Sequence, residues 1–211
     1  MALVLAMVMP ELAFQAAEAG LVGGQEGIGW RALALELFAF FPELFAWMAE
    51  RGIWLPLEIA RLVTYPFVHV SFMSSVFAIV FTLALGKLVG EAMSGLAVLV
   101  IFFGASVVAA LVYWLALPDQ APLYGGMPGA YGLIGGFTFL LWLKAVATGG
   151  PQTQAFGLIA FLMGIQLFFG LFFDTGNAWV ADLAGFFAGF GLSFFLVPGG
   201  FSRLMAFLRS R

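Results

Sequence analysis

Residues 61–91 read RLVTYPFVHVSFMSSVFAIVFTLALGKLVGE. No Asp, Glu, Lys or Arg falls between Arg61 and Lys87, and a transmembrane helix needs about 20 mostly apolar residues. The same punctuation recurs on the C-terminal side, in the charge-free gaps Glu91 to Asp119, Asp119 to Lys144, and Lys144 to Asp174. Each gap holds one helix, and none comfortably holds two. The stretch from Asn177 to Pro198 adds a span with Asp182 inside it. On the N-terminal side, Ala2 to Leu21 is weaker because it carries Pro10, Glu11, Gln15 and Glu18, and it is counted as a first span. A secretory signal peptide is the competing reading there, but the stretch lacks a basic start and its purely apolar run stops at Pro10. The expected fold is all-α: a polytopic bundle of six spans at roughly 2–21, 64–86, 94–117, 125–146, 152–173 and 177–198, as one domain over 1–211.

Composition agrees. The chain is 64% hydrophobic and 9% charged, where ordinary globular domains carry roughly 25% charged residues. Too few charges are present to solvate a surface in water, so the solvent is largely lipid. Net charge is −3, and no basic run marks a nucleic-acid partner. Cysteine is absent, which excludes disulfides, thiolate metal sites and a catalytic thiol. His69 is the single histidine, so bis-histidine haem ligation and His-rich metal sites are excluded on stock alone. Neither a cofactor nor a metal is expected.

Lys and Arg set orientation. With Arg203, Arg209 and Arg211 on the cytoplasmic side, Lys87 and Lys144 fall there too, and Asp119 and Asp174 fall outside. Both termini are then cytoplasmic. Arg31, Arg51 and Arg61 sit on the outer side, a mild exception within a long segment. That segment, 22–60, places Glu36, Glu43 and Glu50 every seven residues among Leu, Phe and Trp. The pattern suits amphipathic helices lying in the membrane interface. The short termini and missing presequence point to a bacterial inner membrane.

Three motif frames carry a resemblance. Arg61, Leu62, Thr64, Phe67 and His69 are followed by Gly86 and Glu91. Gly126-Met127-Pro128-Gly129 opens the fourth span. Ala181-Asp182-Leu183-Ala184-Gly185, with Gly189 beyond, lies in the sixth. In these frames and their order the chain resembles the rhomboid family of intramembrane serine proteases, whose patterns there are Gly-x-Ser-Gly and Ala-His-x-x-Gly. The resemblance spans all six expected helices and the outer segment. It maps the family serine to Pro128, the base to Asp182, and the oxyanion donors to Ser74 and Ala78. Proline has neither hydroxyl nor N–H, and alanine donates nothing. Loss of one member of such a unit already costs orders of magnitude in rate, so the resemblance implies an inactive member. Pro128 also suits the first turn of a helix.

Asp182 carries the most information, because a lone carboxylate at membrane depth costs a few kcal/mol. It is expected to face Pro128 and Tyr131, with Tyr131 and Ser74 as donors. It then serves either as a polar binding spot for a partner helix or lipid headgroup, or as a structural bond between the fourth and sixth spans. His69 and Arg61 are read as structural. Glycines spaced four apart, Gly125 and Gly129, Gly132 and Gly136, Gly185 and Gly189, together with Gly126, are read as close-packing positions, within the bundle or between copies. The fifth span is Phe-rich, with Phe156, Phe161, Phe168, Phe169, Phe172 and Phe173, and faces either lipid or a docked helix.

The function expected from these residues is binding: a non-proteolytic rhomboid-like protein that holds a transmembrane helix of an integral membrane partner, as an accessory subunit or as a client-binding pseudoprotease. Membrane lipids are the other expected partner. An active protease using Asp182 and water is an alternative, but aspartic chemistry needs two carboxyls sharing a site. A small transporter is another, but it calls for paired polar groups in two related halves.

Overall fold

The computed structural model describes residues 1–27, 29–170 and 176–197, with the side chains of 25, 26, 169 and 170 excepted. Helix α1 spans Ala2–Glu18 and is followed by the single turn α2, Gly24–Gly27. Three short helices come next: α3 (Trp30–Phe38), α4 (Pro42–Arg51) and α5 (Pro56–Thr64). Pro42 and Pro56 each open a helix in the first turn, where the missing N–H has no partner to lose. Gly52, at φ +65°, closes α4 in the left-handed conformation. The seven-residue repeat of Glu36, Glu43 and Glu50 therefore does not run along one helix. Between α3 and α4, Phe40 leaves the helix to exchange backbone bonds with Leu123, at 2.9 and 2.8 Å. Phe40, Phe45 and Met48 turn inward onto Tyr65, Tyr113 and Leu123, while Leu33, Leu37 and Leu57 stay exposed.

Among the described residues, four helices are long and apolar enough to cross a membrane: α6 (Phe72–Ala92), α7 (Gly95–Ala116), α8 (Met127–Thr148) and α10 (Trp179–Leu196). The third, fourth and sixth expected spans agree with α7, α8 and α10 within about two residues. The second does not. Residues 64–71 do not begin α6: α5 ends at Thr64, a short 3-10 turn covers Tyr65–Phe67, and the helix starts only after Ser71. Pro66 cannot continue a helical ladder, and Ser71 forms a reciprocal capping box with Ser74. At its other end α6 runs past Lys87, because an exposed lysine extends its ammonium to the interface without ending the helix. In the first expected span, α1 has 17 residues. In the fifth, α9 (Gly157–Gly170) runs to the edge of the described residues after a 3-10 turn at Gln152–Phe156.

Helix α8 is the axis of the bundle. From Pro128 to Gly136 every residue is buried. α10 packs along α8 and α7, α6 lies against the opposite side of α8, and α1 leans on α6. The outward faces carry the exposed apolar residues, including Phe72, Phe77 and Val80 of α6 and Leu96 and Leu115 of α7. Buried glycines inside and large apolar groups outside are the arrangement of an integral membrane protein, where lipid replaces water against the helices.

Candidate functional site

The start of α8 is built by backbone that no side chain larger than glycine permits. Gly125 turns at φ +85° and donates its N–H to the Tyr65 carbonyl at 3.0 Å. The next N–H, of Gly126, is received by His69 Nε2 at 3.2 Å. His69 is thus a buried acceptor. Burial holds its pKa well below the usual range, at about 4, with the Glu11 carboxylate opposing that shift and the Arg31 guanidinium adding to it. A Cβ on Gly126 would lie 2.4 Å from the Met7 methyl, 3.1 Å from the Pro66 carbonyl oxygen and 3.6 Å from the Ala78 Cβ. Met7 of α1 and Ala78 of α6 therefore close over the point where α8 begins.

Pro128 occupies the first turn of α8 and is buried. Its carbonyl oxygen would stand 2.3 Å from a Cβ on Gly185 of α10. One turn deeper, a Cβ on Gly189 would meet the Gly132 oxygen at 1.9 Å. On the α7 side, Gly129 abuts Phe102 and Ser106, and Gly132 abuts Ala105. Gly136 sits against Ile101 and Ser193 with more room, at 3.1 and 3.2 Å. All these glycines mark approaches inside the chain. Gly135 belongs with them, since a Cβ there would lie 2.1 Å from the Phe186 oxygen, although it stands outside the four-residue spacings that drew attention to the others.

Asp182 is buried in the first turn of α10. Its Oδ2 accepts from Gln166 Nε2 at 2.9 Å. Gln166 Oε1 in turn accepts from the Tyr131 hydroxyl at 3.2 Å. The result is a polar chain Tyr131–Gln166–Asp182 that joins α8, α9 and α10. Tyr131 reaches the aspartate through Gln166, not directly. Ser74 is not a donor to Asp182: its hydroxyl bonds the Ser71 carbonyl at 2.9 Å and serves the cap of α6. Gln166 is the residue that motif reasoning missed. Its signal was plain, as a lone amide in the apolar run Phe161-Leu-Met-Gly-Ile-Gln-Leu-Phe, where a polar group needs a partner.

A match to the family model described as Rhomboid domain covers residues 56–199. The chain belongs to the rhomboid family. No curated protein matches it. The residues expected at the catalytic frames are Pro128, Asp182, Ser74 and Ala78. The rhomboid bundle brings Pro128 against Gly185, one turn beyond Asp182, and Ala78 near Gly126. It leaves Ser74 at the end of α6. Phe168 is exposed on α9, the Phe169 side chain, Phe172 and Phe173 lie outside the described residues, and Phe161 is exposed at 64%.

Two arginines tie the outer segment to this rhomboid core. Arg61 donates to the carbonyls of Glu36 at 2.7 Å and Ala39 at 2.9 Å, pairs with Glu58, and lies over the Phe41 ring. Arg31 grips both oxygens of Glu11 at 3.0 and 2.8 Å, reaches Glu18 at 2.8 Å, and donates to the His69 carbonyl at 3.0 Å. The α1 carboxylate is thereby neutralised, and α1 is fixed beside the His69 turn. Glu11, an acid inside the first expected span, is thus paired by a residue of the outer segment, Arg31.

Proposed function

We propose that this rhomboid does not cleave peptide bonds and instead binds a transmembrane helix of a partner membrane protein, as an accessory subunit or as a client-binding pseudoprotease. One observation carries the reading. Pro128, expected at the serine frame, has no hydroxyl and no N–H, and its carbonyl is packed against Gly185, which supports a loss of the family's nucleophile. Acyl transfer needs both a nucleophile and oxyanion donors. The polar chain through Asp182 then serves binding. Its members sit beside α9, whose exposed Phe161, Ile165 and Leu167 offer an apolar flank to a second helix.

The whole chain is taken as one membrane domain of six spans, with α1 as the first and α9 within the fifth. Both termini are placed on the cytoplasmic side of a bacterial inner membrane.

The test is affinity purification in mild detergent with quantitative mass spectrometry, run beside a cleavage assay on a panel of transmembrane substrates. One partner at constant ratio identifies an accessory subunit; several substoichiometric clients that change with Asp182→Ala identify helix capture. Recovery of the protein alone, or cleavage that Asp182→Ala abolishes, overturns the proposal.

A further inference from the structure

Away from the α8–α10 crossing, a cavity of about 530 Å³ opens between α1, α6 and α7. That volume lies within the range of small-molecule sites, roughly 300–1,000 Å³. Leu3, Leu83 and Val98 wall it, and Gly86 and Gly90 leave it open on the α6 side. A Cβ at Gly86 would meet Val98 at 3.5 Å and Leu133 at 3.9 Å, and one at Gly90 would meet Val98 at 3.4 Å. These are ordinary contacts, so the two glycines do not serve a backbone approach like that of Gly189; what they leave is room.

Two polar groups border this apolar space. Thr82 lines it and is 2% exposed, and its hydroxyl has no hydrogen-bond partner among the described residues. Lys87 lines the same cavity with its side chain 73% exposed. Its neighbour Glu91 stands 4.0 Å away and is also largely exposed, a surface pair that is screened and leaves the ammonium available. Lys87 and Thr82 are separated by about 7.5 Å along the helix axis. The Thr82 hydroxyl is sealed within the bundle, and Val98 stands beside Gly86 and Gly90 at the level of Lys87, so the cavity joins a cation directly to apolar walls, the order of phosphate and acyl chain.

We infer that this crevice is a binding site for one anionic glycerophospholipid, with its phosphate on Lys87 and an acyl chain between Leu3, Leu83 and Val98. The site is independent of the proposed helix-binding role, since it lies on the other side of the bundle from α9.

Native mass spectrometry of the full chain from mixed micelles containing equal phosphatidylglycerol and phosphatidylcholine tests it. A single retained phosphatidylglycerol is expected, favoured over phosphatidylcholine about five-fold, the contribution of one lysine at a membrane surface. Lys87→Gln should erase the preference. Gly90→Leu, which pushes a side chain into the crevice, should remove the adduct, and Gly164→Leu on open α9 should not. Equal retention of the two lipids, a preference that survives Lys87→Gln, or no retained lipid overturns the assignment. Lys87 is exposed, so its variant decides the matter even where Gly90→Leu fails to fold.

Discussion

Helices α10 and α9 both border the polar chain at Asp182, yet they are held by different physics. α10 meets α8 backbone to backbone: the Gly132 oxygen would be 1.9 Å from a Cβ at Gly189, and the Phe186 oxygen 2.1 Å from one at Gly135. On α9, Gly157 and Gly164 have nothing within 4 Å. In lipid no hydrophobic force drives one helix onto another, so association rests on close packing and on polar contacts. α10 has the close packing. α9 exposes Ile165 and Leu167, buries Ile159 and Met163 in the core, and bonds the bundle through Gln166. One border of the candidate site is thus set by backbone sterics, and the other by side-chain packing and two side-chain hydrogen bonds.

The largest effect expected is at the first border. Gly189→Ala must part α10 from α8, since backbone at 1.9 Å cannot yield as a side-chain end does. A loss of more than about 3 kcal/mol is expected, at the top of the range for overpacking. Gly164→Ala on α9 should be neutral or slightly stabilising, because Ala is the better helix former. Thermal unfolding of both variants in the same detergent measures the contrast. Equal stability of the two would break the comparison.

A somewhat smaller effect follows from the turn that seats α8. His69 is neutral in the fold, with its pKa held down to about 4 by burial, and titrates near 6.5 when unfolded. Between those values the unfolded chain binds a proton that the folded chain does not. Stability is therefore full above about pH 6.5 and falls as pH drops toward 4, by up to about 3 kcal/mol. Glu11 and Arg31 face the same turn and are part of the profile. His69→Gln keeps an acceptor for the Gly126 N–H but does not titrate, and it should flatten the pH dependence of unfolding. An unchanged slope would mean that the seat of α8 is not what acid disrupts.

The two borders were unequally legible in the sequence. The α8–α10 crossing announced itself, because Gly132, Gly185 and Gly189 recur at helical spacing inside motif frames. Gly135 escaped because it packs against Phe186 from a different row of the same helix. The α9 border was legible only through the lone amide of Gln166 in an apolar run, since no motif covers it and no spacing ties Gln166 to Asp182. Ser74 was assigned to Asp182 by frame alone, although Ser71-x-x-Ser74 before an apolar run is itself a cap signature that accounts for it. The start of α6 was placed too early for a related reason: the absence of charge from Arg61 onward outweighed Pro66, which forbids a continuous helix there. Arg31 lay hidden because ion pairs across 20 residues leave no local pattern.

The smallest effect is the most specific to α9. Gln166→Leu removes the donor to Asp182 and the acceptor for Tyr131 at once. Side-chain hydrogen bonds within membranes average below about 1 kcal/mol, because the separated helices also find partners. Asp182→Leu alone leaves the Gln166 amide short of an acceptor. If the two residues act through each other, Gln166→Leu combined with Asp182→Leu costs less than the sum of the single changes, with a coupling of about 1 kcal/mol. Hydrogen exchange resolved by segment locates that coupling. Amides of α9 should lose protection in Gln166→Leu while those of α8 and α10 keep theirs, since the glycine crossing does not depend on Gln166. Equal loss along α8 would show that the polar chain supports the whole bundle, and the division between a border of packed backbone and one held by side chains would fall.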